Sequence, residues 1–102
     1  MNEIVESKHA ELVDLCRQYK VRQLELFGSA VGARFDSATS DLDFLVEFER
    51  SSPAESARFY FGFLFALQTL FGRDVDLVES AAIQNPYFLK SIAKERVLLY
   101  AA

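Results

Sequence analysis

The chain has 102 residues, 51% hydrophobic and 25% charged, the balance of one folded domain spanning 1–102 and not of a disordered segment. Fifteen acidic residues against eleven basic ones give a net charge of -4, which argues against a polyanion-binding groove and so against direct nucleic-acid binding. The single cysteine, Cys16, cannot close an internal disulfide or build a structural zinc site. The opening MNEIVESKHAELV lacks the basic and apolar regions of a secretory signal, so the cytoplasm is the expected location.

In chain order, Ile4, Lys8, Leu12, Leu15, Cys16 and Tyr19 recur at steps of three and four, which predicts an amphipathic helix over 3–19. Cys16 lies on its apolar stripe and His9 on its polar side, as a surface residue. Val21 to Phe27 alternates, with Val21 out of phase and Leu24 and Leu26 on one face, and reads as a strand stopped by Gly28. Residues 28–40 hold two glycines, three serines and a threonine and read as a turn with room for a short helical segment. Asp41 to Phe48 predicts a second strand, with Leu42, Phe44, Val46 and Phe48 on one face.

Ser52, Pro53 and Glu55 form a helix start: a capping serine, a proline at the first helical position, and a glutamate three residues after the serine. That helix should run to Phe71 and stop at Gly72. Arg73 to Glu79 predicts a third strand. Asn85-Pro86 starts a last helix through Lys94, and Val97 to Tyr100 reads as a closing strand in preference to a continued helix. The order α-β-turn-β-α-β-α-β places the chain in the α/β class, or α+β if the sheet is mixed, with helices packed against a sheet.

The period of two along a strand puts Asp41 and Asp43 on one face, about 7 Å apart along the chain. Two carboxylates that close repel unless a cation lies between them, and no lysine or arginine falls within four residues of the pair. Mg²⁺ fits as the counter-charge, since it takes oxygen ligands and keeps places for water and phosphate. Asp74 and Asp76 repeat the spacing on the third strand. If the strands are neighbours, the carboxylates converge into a site suited to two metal ions. An isolated Asp-x-Asp is more often a solvated strand end, and an isolated Gly28-Ser29 more often a strand stop with a helix cap. Together they are complementary: backbone amides and a hydroxyl for phosphate, and carboxylates for metal.

The segments LFGSAVG from Leu26, SDLDFLVEF from Ser40, RDVDLVE from Arg73 and NPYFLKSIAKERVLLYAA from Asn85 together resemble a minimal nucleotidyltransferase (MNT) of the DNA polymerase β-type superfamily. The resemblance covers nearly the whole chain. It implies that Asp41, Asp43 and Asp76 ligate Mg²⁺, most simply as two ions. Asp76 would also assist deprotonation of the acceptor hydroxyl. Gly28 and Ser29 would hold the triphosphate of ATP, and Ser40 would brace the strand entry. Asp74 is the weaker candidate, since the family's acid directly precedes the Leu-Val step. Family members often carry an arginine followed by glycine shortly after Gly-Ser. Here Gly32-Ala33 stands there, with Arg34 as the cation left to reach a phosphate. The resemblance further implies an antitoxin that transfers AMP to a tyrosine of a HEPN-domain toxin. Two alternatives accompany it: an inactive module that neutralises its partner by binding alone, and a small-molecule nucleotidyltransferase, for which the chain has no room for a substrate domain.

A partner is also expected on separate grounds. Five of the ten phenylalanines (Phe59, Phe61, Phe63, Phe65 and Phe71) lie in the helix over 53–71, with Tyr60, Leu64, Leu67 and Leu70. At 100° per residue these do not fit one face, so the helix should be covered on more than one side, by a toxin or a second copy in preference to the chain's own sheet and terminal helices. Arg58 and Gln68 and the helix length exclude a membrane span. Arg73 reads as charge balance near the carboxylates, and Lys90, Lys94 and Arg96 as a solvated basic helix face.

Overall fold

The structure, a computed structural model, describes residues 3–28, 42–80 and 96–102. Ser29, Arg34, Ser40 and Asp41, and the helix expected over 85–94 with Lys90 and Lys94, lie outside the described residues. The elements are α1 (Glu3–Ser7), α2 (His9–Gln18), β1 (Val21–Phe27), β2 (Leu42–Phe48), α3 (Pro53–Phe71), β3 (Val75–Glu79) and β4 (Arg96–Ala101). The four strands form one sheet in the order β3-β2-β1-β4. β1 is antiparallel to both β2 and β4, whereas β2 and β3 run parallel. The sheet is therefore mixed, and of the two classes expected the α+β form is the one found.

The helix expected over 3–19 is broken. Lys8 leaves helical geometry (φ -118°, ψ 21°), and the Ser7 hydroxyl donates to the Ile4 carbonyl at 2.9 Å, closing α1 before α2 begins. The apolar steps continue across the break, so periodicity could not reveal it. Val5, not Ile4, is the fully buried residue of α1.

One sheet face carries the core. Leu24 and Leu26 of β1, Leu42, Phe44 and Val46 of β2, Val75 and Leu77 of β3 and Leu99 of β4 pack with Val5, Leu12 and Cys16 and with Phe63, Leu67 and Phe71 of α3. Val21 joins them because the register with β2 shifts between Val21 and Gln23. The shift returns an out-of-phase residue to the core face. Burial pushes the Cys16 thiol up to about 12.

α3 runs over the expected residues. The Ser52 hydroxyl accepts from the Glu55 amide at 3.2 Å, Pro53 sits in the first turn, and Gly72 ends the helix in left-handed geometry (φ 62°). Its apolar surface divides. Phe63, Leu67 and Phe71 are buried in the core, while Phe61 and Phe65 remain 66% and 71% exposed. None of the described helices is long and apolar enough to cross a membrane.

Candidate functional site

The opposite sheet face carries the acidic residues. Alternation along β2 sends Leu42, Phe44 and Val46 into the core and leaves Asp43, Leu45 and Glu47 on the other side. In β3, Val75 and Leu77 are buried and Asp76 between them is exposed. The parallel register sets Asp43 directly opposite Asp76, on backbones about 4.8 Å apart. Residues sequence reasoning placed on two separate strands are thus brought side by side.

Gly28 completes this end of the sheet. Phe27 is the register partner of Asp43, so Gly28 follows immediately beside the carboxylate, with φ at +76°. A Cβ at Gly28 would overlap Oδ2 of Asp43 and lie 3.3 Å from its Cγ. Glycine here serves the carboxylate as well as the positive φ: a side chain at this position would force the Asp43 carboxyl group to shift. Asp74 is exposed and its carbonyl accepts from the Leu42 amide at 3.3 Å, one residue before the Asp43–Asp76 pairing begins.

Beyond the two aspartates the same face becomes apolar, with Phe27, Leu45 and Val78 in a small separate cluster. It then ends in an ion pair that sequence reasoning missed. Arg96 Nε lies 2.9 Å from Glu25 Oε2, and Gln23 Nε2 donates to Glu25 Oε1 at 3.0 Å. Glu25 is only 9% exposed. The expectation that Arg96 belongs to a solvated helix face is therefore corrected. It sits on β4, whose register places it opposite Phe27, within reach of the buried Glu25. The only available signal was Glu25 itself, an acid in phase with Gln23 and Phe27 on a strand otherwise suited to burial.

A second missed contact comes from the helical side. The Tyr60 hydroxyl of α3 donates to the Leu77 carbonyl, tying the edge strand β3 to the helix one residue past Asp76. Burial raises the Tyr60 hydroxyl above its ordinary range, and the negative charges of Asp76 and Glu79 raise it further. His9 is exposed as expected, with Nε2 3.2 Å from the Leu99 carbonyl.

The described residues suit a hard divalent cation. Asp43 and Asp76 offer carboxylate oxygens from adjacent strands, and the missing side chain of Gly28 leaves the Asp43 carboxylate its place. Among the described residues no three metal-ligating side chains cluster, Asp41 standing outside them.

Residues 11–99 match the family described as the nucleotidyltransferase domain. The chain belongs to that family. It is 32% identical over 90 residues to a candidate protein adenylyltransferase of Methanocaldococcus jannaschii, a match covering 88% of this chain and 86% of the relative. A solved candidate minimal nucleotidyltransferase is 28% identical, with a TM-score of 0.68 over 93% of this chain and 92% of the other. A chain from the complex of tri-AMPylated Shewanella oneidensis HEPN toxin with MNT antitoxin shares the fold, with a TM-score of 0.59 at 19% identity over 95% and 72% of the two chains. This nucleotidyltransferase chain thus carries its family's fold over nearly its whole length.

Proposed function

We propose that this nucleotidyltransferase transfers AMP from ATP to a tyrosine hydroxyl of a HEPN-domain toxin in the cytoplasm and thereby acts as its antitoxin. The observation that carries the reading is the register pairing of Asp43 with Asp76 beside Gly28. The resemblance to a candidate protein adenylyltransferase supports the reaction type, and the fold shared with a chain from a HEPN toxin–MNT antitoxin complex supports the partner.

In this reading Asp41, Asp43 and Asp76 hold Mg²⁺, as two ions. When bound, Mg²⁺ supplies electrostatic stabilisation of charge on the α-phosphate and on the attacking oxygen. Asp43 is the fixed member, half-buried and packed under Gly28. Asp76 is exposed and stands where an incoming hydroxyl can be met, so it accepts the proton as the acceptor oxygen bonds to the α-phosphorus. The bond from the α-phosphorus to the bridging oxygen breaks, and pyrophosphate leaves with that oxygen. Gly28 and Ser29 present backbone and hydroxyl donors to the triphosphate, Ser40 braces the entry to β2, and Arg34 reaches a phosphate.

The test is to incubate the chain with ATP, Mg²⁺ and a HEPN toxin and to weigh the toxin. The expected result is added AMP, reduced on the order of 100-fold or more by Asp43→Asn or Asp76→Asn. No added AMP with the wild-type chain would refute the transfer reaction. The Gly32-Ala33 step, where relatives often have arginine and glycine, favours a second reading in which the chain neutralises its partner by contact alone. Neutralisation unchanged in both Asn variants would establish it.

A further inference from the structure

The helical layer carries a feature that neither the fold nor the acidic site uses. Phe61 and Phe65 stand one turn apart on the same side of α3, 66% and 71% exposed. Phe65 borders a groove of about 520 Å³ between α2 and α3, whose apolar walls are formed by Leu15, Tyr19, Phe65 and Leu70. Tyr19, half-buried, packs its ring against Gly62, where a Cβ would come within 2.7 Å of a ring carbon. A trough between two packed helices matches the ridge of a third, and its longer wall, from Glu11 to Tyr19, spans about 12 Å.

The charge around the trough selects the occupant. The charged residues lining it are Glu11 and Asp14, both exposed on α2, and no lysine or arginine lines it among the described residues. Arg58, the only basic residue of α3, lies two turns before Phe65 and stacks over the Phe59 ring at 5.4 Å. A second copy docking by this face would bring two more carboxylates with no cation among the lining residues to meet them.

We propose that the α2–α3 groove binds an amphipathic helix of a partner protein, its apolar stripe seated against Phe65, Leu15 and Leu70 and flanked by lysine or arginine facing Glu11 and Asp14. The groove lies on the helical side of the sheet, away from the face that carries Asp43 and Asp76. A helix bound there holds the partner without covering the carboxylates, and the proposal stands whether or not nucleotidyl transfer occurs.

The experiment uses a labelled synthetic amphipathic peptide of about 14 residues, four helical turns, with leucines along one face and flanking lysines. Its counterpart has glutamates in place of the lysines. Both are titrated against the full chain by fluorescence anisotropy. The lysine peptide is expected to bind at least tenfold tighter than the glutamate peptide, with the preference shrinking at high salt. Phe65→Ser should weaken the lysine peptide at least tenfold. The double charge reversal Glu11→Lys with Asp14→Lys, at two exposed positions, should invert the preference. Circular dichroism confirms that each variant is folded. Equal binding of the two peptides, or no binding of the lysine peptide, overturns the proposal. So does a wild-type dimer in light scattering that Phe65→Ser converts to monomer, since a second copy would then be the occupant.

Discussion

Gly28→Ala isolates the contact between the turn and the acidic pair. Two penalties add at this position. Alanine in the left-handed region costs about 1–2 kcal/mol, and Gly28 has φ at +76°. The new methyl also overlaps Oδ2 of Asp43, so the carboxylate or the chain above it must move. Such overpacking costs about 1–3 kcal/mol. The expected loss is the sum, about 2–5 kcal/mol. Gly72→Ala supplies the control: φ is 62°, and a Cβ there meets nothing within 4 Å, so only the backbone penalty applies. The gain in unfolded-chain rigidity on replacing glycine by alanine is common to both variants and cancels in the comparison. Urea denaturation should therefore place Gly28→Ala below Gly72→Ala by about 1–3 kcal/mol. In an Asp43→Ala background that difference should largely vanish, because the atom the methyl strikes is gone. Mg²⁺ affinity, read by calorimetry, should fall in Gly28→Ala and hold in Gly72→Ala. Equal destabilisation by the two alanines, with metal binding unchanged, would refute the claim that Gly28 is held open by Asp43.

Tyr60→Phe removes the hydroxyl and leaves the Leu77 carbonyl without that donor, so thermal melting should show a loss of about 1–2 kcal/mol. Because burial and the charges of Asp76 and Glu79 raise the Tyr60 hydroxyl above its ordinary 10.0, the unfolded chain ionises first as pH rises. This contribution is intact below pH 10 and lost above it, so the pH profile of Tyr60→Phe should be flatter on the alkaline side. Cys16 acts with the same sign from 9.0 to about 12, and its thiol should react with iodoacetamide only at the rate of unfolding. Arg96→Ala leaves buried Glu25 with Gln23 as its remaining partner. A loss of about 1–2 kcal/mol is expected in urea denaturation, discounted for the partial exposure of Arg96, and Glu25→Gln in the same chain should restore part of it.

The elements with local signals were legible in the sequence. α3 was legible at both ends because a serine–proline start and a glycine stop are chemical marks that do not depend on the rest of the fold. β1 and β2 were legible from alternation, as was the expectation that Asp43 faces away from the apolar residues of its strand. The break at Lys8 was not, since a side-chain bond from Ser7 to Ile4 leaves no mark in the hydrophobic period. The partnership of Asp43 with Asp76 depended on two strands 33 residues apart being neighbours, which spacing within either strand cannot decide. The ties of Tyr60 to Leu77 and of Arg96 to Glu25 are also long-range and single, and they arise from the crossing of α3 over β3 and from the register of β4. The aromatic richness of α3 was visible. Which rings the core takes and which it leaves exposed followed only from how the helix packs on the sheet.

Core and candidate chemistry are interleaved residue by residue on β2. Leu42, Phe44 and Val46 fill the core while Asp43, between the first two, faces Asp76, so a shift of one residue in the pairing would bury the carboxylate and expose three apolar side chains. The packing therefore specifies the position of the acid. A core substitution such as Phe44→Ala should act on the site through the same strand, since Phe44 stacks on Phe71 at 5.9 Å and is fully buried. It should cost about 3–5 kcal/mol. Any remaining folded population should bind Mg²⁺ more weakly, although neither aspartate has been touched. Leu98→Ala, at a residue of the same sheet that is 56% exposed, should alter neither. Calorimetric Mg²⁺ titration of both variants at equal folded fraction separates the two cases. Unchanged affinity in folded Phe44→Ala would show that the aspartates hold their geometry independently of the core beneath them.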